Sequence, residues 1–259
     1  MDLNLAGRKA LITGASKGIG LAIAKRLANE GCSVVLVARS ENDLKQAQRT
    51  ILTTDQSVGV DYRVADLSNT SEVNALANEQ ADIDILVNNA GAIPVGNINR
   101  VDEATWREAW DLKLFGYISL CRGIYASMSA RRDESGQRVI LNIIGAGGER
   151  PSSGYLAGAG ANAGLMAITR AMGGVSRKHG VRVLGINPGQ IVTERLETMQ
   201  RVLAEEKFGD AERWKEVWDP NYPPGQVEHI ADASAFLVSE LSSNTTGTII
   251  TIDGGHCAR

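Results

Sequence analysis

Apolar and polar positions alternate in blocks along this chain. Short runs rich in Val, Ile and Leu recur between longer stretches in which apolar residues are spaced three or four positions apart. The short runs predict buried strands, and the wider spacing predicts amphipathic helices. The predicted strands are 9–13, 33–38, 58–64, 83–88, 138–143, 181–187 and 248–252, and the predicted helices are 18–29, 41–53, 71–79, 103–130, 154–178 and 228–239.

The regular alternation of strand and helix predicts the architecture. A parallel sheet joined by right-handed crossover helices carries helices on both faces and binds ligands at the carboxyl ends of its strands. We therefore predict an α/β fold, a single doubly wound Rossmann-type domain over residues 1–259 with a seven-stranded parallel sheet. Residues 194–225 fit the alternation least, and we predict an irregular region there.

A glycine-rich turn lies between the first predicted strand and the first predicted helix. Residues 13–20 read Thr-Gly-Ala-Ser-Lys-Gly-Ile-Gly. Glycine permits a tight turn and a close approach of the backbone to a phosphate, and the helix that follows directs its positive dipole end toward that anion. The spacing predicts a dinucleotide site, although a strand-to-helix turn that binds nothing is the alternative.

Charged residues near the end of the second strand bear on the choice of cofactor. In dinucleotide folds, an acidic residue near this point hydrogen-bonds the adenosine ribose of NAD. Here the position holds Arg39, and Lys17 lies in the glycine turn. Two cations favour the extra phosphate of NADP through charge-assisted hydrogen bonds. NADP is the predicted cofactor and NAD stays possible, because Glu41 and Asp43 are close in sequence and both cations could simply be exposed.

Further short motifs follow other predicted strands. They are Asp-Leu at 66–67, Asn-Asn-Ala-Gly at 88–91 and Asn-Pro-Gly-Gln-Ile-Val-Thr at 187–193. Together with the Thr-Gly-x-x-x-Gly-x-Gly turn, they make the chain resemble the short-chain dehydrogenase/reductase family over nearly its whole length. The resemblance implies an NAD(P)-dependent oxidoreductase. The cofactor-binding residues expected from these motifs are Gly14, Ser16, Lys17, Gly18, Ile19, Gly20, Arg39, Asp66, Leu67, Asn88, Ala90, Gly91, Pro188, Gly189, Ile191 and Thr193.

The resemblance also implies a set of catalytic positions, and this chain departs from the family pattern there. The family uses a tyrosine, a lysine four residues later, a serine at the end of the fifth strand and an asparagine on the preceding long helix. Tyr155 matches the tyrosine, whereas Ala159, Gly145 and Lys113 stand at the other three positions. We predict Tyr155 and Lys113 to be catalytic, with the Lys113 ammonium replacing the missing lysine and lowering the pKa of the phenol. Lys113 could instead extend to solvent from a helix edge.

Three polar residues near Tyr155 have open roles. Ser152 or Ser153 could stand in for the missing serine. Asn162 lies two helical turns after Tyr155 and on roughly the same face, so it could contact cofactor or substrate, or it could be a buried structural amide.

Residues 194–225 concentrate large apolar side chains, among them Phe208, Trp214, Trp218 and Tyr222. By resemblance we predict a substrate lid, and its composition favours a mostly apolar small-molecule substrate. The expected reaction is hydride transfer between the nicotinamide and a carbonyl or secondary alcohol. Because several catalytic positions are altered, a non-catalytic NADP-binding sensor or partner subunit is the alternative.

The composition of the chain argues against nucleic acids and membranes as binding partners. The formal net charge of −3 gives no electrostatic case for nucleic acid or an anionic membrane surface, and no apolar run approaches the roughly 20 residues that a membrane helix needs. The cysteines are scattered and the histidines share no metal-ligand spacing, so we predict no metal site and a reducing, cytoplasmic location. The family resemblance implies a homotetramer or a homodimer.

Overall fold

The computed structural model describes residues 2–53, 57–131 and 138–258, and they form an α/β fold around one parallel sheet. Seven strands lie in the order β3-β2-β1-β4-β5-β6-β7, and every neighbouring pair is parallel. The strands are β1 (Lys9–Thr13), β2 (Ser33–Ala38), β3 (Val60–Val64), β4 (Ile85–Asn88), β5 (Arg138–Ile143), β6 (Val181–Pro188) and β7 (Ile249–Ile252). The predicted doubly wound Rossmann-type sheet of seven parallel strands is confirmed.

Helices cover both faces of the sheet. They are α1 (Gly18–Asn29), α2 (Glu41–Leu52), α3 (Thr70–Glu79), α4 (Glu103–Trp110), α5 (Gly116–Ala130), α6 (Leu156–Ser176), α7 (Glu194–Phe208) and α8 (Val227–Val238). The apolar sides of α1, α2 and α8 pack on one face, and those of α3 and α5 pack on the other. Among the helices of the described ranges, none combines the length and apolar character that crossing a bilayer requires.

The position of the functional cavity follows from the strand order. The first strand, β1, pairs with β2 on one side and with β4 on the other, so the winding direction reverses beside it. The loops after β1 and β4 therefore diverge and leave a crevice at the carboxyl edge of the sheet, where open α/β sheets bind their ligands.

The long helix predicted over 103–130 is divided by a π-turn. Five residues, Asp111–Phe115, wind as a π-helix between α4 and α5. Such a turn inserts an extra residue into a helix and is frequent at functional sites. Gly116 follows directly, and a Cβ built there would lie 2.6 Å from the carbonyl oxygen of Leu67. The start of α5 therefore packs so closely against the loop that contains Leu67 that only glycine fits at position 116. The π-turn directs Lys113 toward the cavity.

The region predicted to be irregular contains a well-formed helix, and that prediction is wrong. The segment α7 begins after Thr193, whose hydroxyl accepts a hydrogen bond from the backbone N–H of Leu196 at 3.2 Å. A short 3-10 segment, Ala211–Val217, follows it. Within that segment and just after it, Trp214 and Trp218 pack edge to face, with ring centroids 5.2 Å apart. Elsewhere the predicted bounds differ from those observed by no more than two residues.

Candidate active site

A cavity of about 1430 Å³ opens at the carboxyl edge of the sheet. Its walls come from the β1–α1 turn, the ends of β2, β4, β5 and β6, and the first turns of α7. Both predicted catalytic residues, Tyr155 and Lys113, line it. So do most of the predicted cofactor residues, namely Gly14, Ser16, Lys17, Gly18, Ile19, Arg39, Leu67, Ala90, Gly91, Pro188, Gly189, Ile191 and Thr193.

Hydrogen bonds between β1 and β4 fix the glycine turn. Thr13 Oγ1 accepts from the backbone N–H of Asn89 at 2.8 Å and of Ala90 at 3.1 Å, and Asn89 Nδ2 donates to the Thr13 carbonyl at 3.0 Å. Gly14 adopts φ +64°, which favours glycine. A Cβ built on Gly20 would lie 2.3 Å from the Gly14 carbonyl oxygen. The backbone of the turn is therefore held rigidly, and it leaves no room for a side chain at position 20.

The amino end of α1 is open toward this turn. Its N-cap residue is Lys17, which has extended backbone angles and no capping side chain within the described ranges, and the first turn holds no acidic residue. By contrast, side chains cap the first turns of α2, α3, α4 and α7. Uncapped first-turn amides and the helix dipole attract an anion, so the site fits the phosphates of a dinucleotide.

The end of β2 is positively charged where it meets the cavity. Arg39 lines the cavity and makes no ion pair within the described ranges. Hydrogen bonds from Ser68 lower the pKa of Asp66, and the charge of Arg39 adds a smaller effect in the same direction. The nearby Glu41 carboxylate is engaged elsewhere, because it accepts from Lys45 Nζ at 2.9 Å and from the Tyr62 hydroxyl at 3.2 Å. The Lys45 hydrogen bond lowers the pKa of Glu41. Arg39 is therefore left to meet a bound phosphate.

Three predicted cofactor residues, Asn88, Asp66 and Gly20, lie outside the cavity wall. Asn88 is 1% exposed, and its Nδ2 donates to Asn142 Oδ1 at 2.9 Å, so it ties β4 to β5 and lies outside the cavity wall. The neighbouring Asn89 lines the cavity instead. Asp66 also falls outside the wall, and one of its oxygens accepts from the Ser68 hydroxyl at 2.7 Å. Gly20 is not part of the wall either; its role is the close packing beneath the turn.

Tyr155 stands at the N-cap of α6. The preceding residue is held by a hydrogen bond from Gly96 N–H to the Gly154 carbonyl at 2.8 Å, and Gly96 forms a β-bridge with Tyr155. The tyrosine ring lies over Gly158, where a built Cβ would be 2.0 Å from two ring carbons. A Cβ at Gly147 would lie 3.3 Å from the same ring. Glycine at these two positions makes the space that the ring occupies.

Arg195, which the sequence analysis missed, lies beside the Tyr155 phenol. Its guanidinium donates from Nη1 to the Gly91 carbonyl at 3.0 Å and from Nη2 to the Ile93 carbonyl at 2.7 Å. Burial raises the pKa of Tyr155, and the Arg195 charge and hydrogen bond lower it less, so the net direction is upward. The sequence offered one sign of its role: Arg195 follows Thr193 and Glu194 directly. The helix that begins there, α7, was not predicted, so the position of Arg195 near Tyr155 was not expected.

Lys113 faces the cavity from the π-turn. Its Nζ donates to the Ile144 carbonyl at 2.6 Å, and its Cδ would lie 3.1 Å from a Cβ built on Gly91. Burial, and then repulsion by Arg195, lowers the pKa of Lys113 to about 7. The cation that acts on the Tyr155 phenol is Arg195, so the predicted contact between the Lys113 ammonium and the phenol is not what the structure shows.

Asn162 is the residue of α6 that shares the cavity wall with Tyr155. It is 2% exposed, its Oδ1 has no hydrogen-bond partner within the described ranges, and its Nδ2 would lie 2.8 Å from a Cβ built on Gly145. Ala159 is buried outside the wall. Ser152 and Ser153 are exposed and also lie outside it, so neither fills the place of the missing serine.

Aliphatic residues of α7, rather than the tryptophans, form the outer wall. The side chains that line the cavity there include Leu196, Met199 and Leu203. Trp214 and Trp218 lie outside the wall.

Comparison with known proteins places the chain in a family. A family model described as short chain dehydrogenase matches residues 8–203. The chain belongs to the short-chain dehydrogenase/reductase family. Among curated relatives of this short-chain dehydrogenase, L-xylulose reductase of Bos taurus is 29% identical, with 100% of both chains covered. Cis-4-hydroxycyclohexanecarboxylate dehydrogenase of Sinomonas cyclohexanicum is 32% identical, with 98% of both chains covered.

Solved structures of the family agree on the fold. The L-sorbose reductase of Gluconobacter frateurii, a complex with NADPH and L-sorbose, superimposes with a TM-score of 0.90 at 30% identity, covering 100% of both chains. These matches assign this short-chain dehydrogenase to the NAD(P)-dependent oxidoreductases.

Proposed function

We propose that this protein is an NADP-dependent oxidoreductase that transfers hydride between the nicotinamide and a carbonyl or secondary alcohol of a mostly apolar small molecule. The observation that carries the proposal is a single cavity. It joins the open amino end of α1, which suits phosphates, to the phenol of Tyr155, which can exchange a proton. Substrate and cofactor would meet between these two ends.

The cofactor would be held by the glycine turn and the strand ends. The first-turn amides of α1 suit the diphosphate, and Arg39 suits the additional phosphate of NADP. The Ile191 backbone and the Thr193 hydroxyl suit the carboxamide, as the family resemblance implies. When bound, the nicotinamide supplies or accepts the hydride. The NADPH bound by L-sorbose reductase supports this choice of cofactor.

Tyr155 would supply the proton. Because its pKa is raised, the phenol is protonated at neutral pH and suits donation to an oxygen that gains negative charge during reduction. Arg195 would fix the hydroxyl and stabilise the phenolate left after donation. Lys113, with a pKa of about 7, can bind or release a proton at neutral pH and would restore the one that is lost.

The placement of Tyr155 suggests a shift of one helical turn. Its ring covers Gly158, and Gly158 precedes Asn162 by four residues, the spacing expected between the family tyrosine and lysine. We infer that Gly158 and Asn162 occupy those two positions, and that Tyr155 reaches the active site from the preceding turn. Asn162 would then offer its unpaired Oδ1 to a hydroxyl group of the bound molecules.

The outer wall supports a mostly apolar substrate. Leu196, Met199 and Leu203 of α7 present aliphatic surface to the cavity, and residues 194–225 would act as the lid. We further propose that the protein is a homotetramer or homodimer, since apolar residues such as Phe236 and Ile250 are exposed on α8 and β7. Light scattering tests the assembly, and a monomer at micromolar concentration would contradict it.

A non-catalytic NADP-binding protein is the second candidate. Gly145 leaves the end of β5 without a hydroxyl side chain, and the raised pKa of Tyr155 leaves little phenolate at neutral pH to accept a proton during oxidation. Such a protein would use the same cofactor site as a sensor or partner subunit.

The test begins with fluorescence titration of NADPH and NADH. Oxidation of the bound NADPH is then followed by absorbance against a panel of open-chain and cyclic ketones. Tight NADPH binding followed by oxidation with any ketone supports the enzyme. Binding without oxidation across the panel supports the sensor, and failure to bind NADPH rejects both.

A further inference from the structure

Two cations converge on Gly91 inside the cavity. The side chain of Lys113 crosses over Gly91 from the π-turn, and its Cδ would lie 3.1 Å from a Cβ built there. From the other side, Arg195 of α7 donates to the Gly91 carbonyl at 3.0 Å. Burial lowers the pKa of Lys113 most, and repulsion from the nearby Arg195 lowers it further.

Neither cation has an acidic partner among the residues that the structure describes. Lys113 donates to the Ile144 carbonyl, and Arg195 donates to two backbone carbonyls. The adjacent Glu194 is engaged elsewhere, with Oε2 3.1 Å from Lys17 Nζ.

Some other cations of the same cavity are paired. Arg26 forms ion pairs with Glu30 and Asp232. Arg39, by contrast, makes no ion pair within the described ranges, and the NADP phosphate already suits it, so Lys113 and Arg195 are left as a second pair of cavity cations without a carboxylate.

An anion at this point would correct an electrostatic imbalance. Removing a cation from water is costly unless an opposite charge compensates, and Lys113 meets this cost by losing its proton near neutral pH. A bound anion would favour the protonated lysine. Arg195 can donate further hydrogen bonds, because a guanidinium carries five N–H groups and two of them have partners within the described ranges.

We propose that Lys113 and Arg195 bind a carboxylate group of the substrate. The proposal rests on the proposed function, since it places this group beside the phenol that would donate the proton. The remaining surface nearby is apolar, contributed by Ile93, Leu196 and Met199. The substrate class is therefore an apolar body that carries a carboxylate as well as the reacting carbonyl or alcohol. The cofactor diphosphate is the other possible anion, but the open end of α1 already suits it.

Calorimetry with matched probes tests the proposal. Cyclohexanecarboxylate and cyclohexanecarboxamide have the same ring and differ in charge. Titrated into the NADP⁺-loaded protein, the acid is expected to bind at least about tenfold more tightly than the amide. Lys113→Met and Arg195→Gln should each remove most of this preference. Lys207→Met, which changes an exposed lysine of α7 outside the cavity, should retain it.

Proton uptake on binding is a second measurement, and it tests whether Lys113 becomes protonated when the acid binds. Arg195 from α7 and Tyr155 from α6 are the charged or titratable side chains that share this part of the cavity with Lys113 in the described chain. Titrations at pH 7 in buffers of different ionisation enthalpy should show proton uptake when the acid binds. The uptake should be absent with the amide and in Lys113→Met.

The outcomes separate this proposal from the broader one. Equal affinity for acid and amide, or no binding of either, overturns the carboxylate site. Acid that binds the cofactor-free protein and is displaced by NADP⁺ assigns the anion site to the cofactor diphosphate and also overturns it. Titration with NADPH alone reports on the proposed function, so binding of NADPH without preference for the acid rejects only the carboxylate site.

Discussion

Glycines lie at both ends of the cavity, and their roles differ between the two ends. At the β1–α1 turn, Gly14 and Gly18 adopt φ +64° and +57°, and Gly20 packs against a backbone carbonyl. At the β5–α6 end, the ring of Tyr155 occupies the space that side chains at positions 147 and 158 would otherwise fill. The first set shapes the backbone for a ligand, whereas the second set makes room for another side chain of the same protein.

The contrast separates binding from chemistry. Changes at the first end should act on cofactor affinity and folding, because the backbone there has no alternative path. Changes at the second end should act on turnover with little effect on cofactor affinity, because a side chain is displaced. The following predictions test this division, from the largest expected effect to the smallest.

Gly20→Ala should have the largest effect. Its Cβ would fall 2.3 Å from the Gly14 carbonyl, a backbone atom held by the β1–β4 hydrogen bonds. We expect a loss of NADPH affinity of more than about a hundredfold and destabilisation of about 2–4 kcal/mol, measured by fluorescence titration and urea unfolding. Gly174→Ala is the control, because it lies in α6 with nothing near its Cβ and should gain about 0.5–1 kcal/mol. NADPH affinity unchanged in Gly20→Ala would contradict the rigidity of this turn.

Gly158→Ala should separate the two ends. The added methyl group would overlap the Tyr155 ring and push the phenol from Arg195. We expect turnover to fall by about a hundredfold while the NADPH dissociation constant changes by less than about threefold. Full turnover in Gly158→Ala, measured beside Gly174→Ala, would show that the position of the ring is not important.

Arg39→Asp should alter cofactor choice. The substitution removes a cation from the NADP phosphate and adds repulsion, so the preference for NADPH over NADH should fall by at least about tenfold. Arg49→Asp makes the same charge change on an exposed, distant part of α2 and should leave the preference intact. If both variants behave alike, the effect is one of overall charge and not of a phosphate contact.

Lys113→Met should change the pH dependence of stability. The folded pKa of about 7 lies below the ordinary value of 10.5, so between these values the unfolded state binds more protons and stability rises with pH. By linkage, removing the amine should stabilise the protein by about 4 kcal/mol at pH 7, less the contribution of the lost hydrogen bond to the Ile144 carbonyl, with an advantage that shrinks toward pH 10. Urea unfolding at several pH values measures this. A constant difference would mean that Lys113 titrates normally.

The sequence predicts the sheet and the cofactor end well because their signals are local. Strand runs, the glycine turn and Arg39 are each recognisable from adjacent residues and from spacing. Asn88 was assigned to the cofactor because it belongs to a cofactor motif, yet its side chain bonds Asn142 of the next strand. Which side chain of a short motif faces the ligand depends on the sheet, and adjacent residues do not reveal that.

The β5–α6 end depends on contacts between distant segments. The π-turn that turns Lys113 inward, and the helix that brings Arg195 to Tyr155, join residues far apart in the chain. Matching Tyr155 to a motif placed the missing lysine at Ala159, which is buried outside the cavity wall. The proposed shift of one helical turn rests on the overlap between the Tyr155 ring and the side-chain position of Gly158, which adjacent residues in the sequence do not reveal.

We propose that Tyr155 donates the proton in an NADPH-dependent reduction. The most direct measurement is the single-turnover rate of NADPH oxidation by Tyr155→Phe beside the unmodified protein, with a cyclic keto acid as substrate. The account predicts a fall of at least about a hundredfold for the variant, with the NADPH dissociation constant unchanged. Equal rates in the two proteins, or no oxidation by the unmodified protein despite bound NADPH, would contradict it.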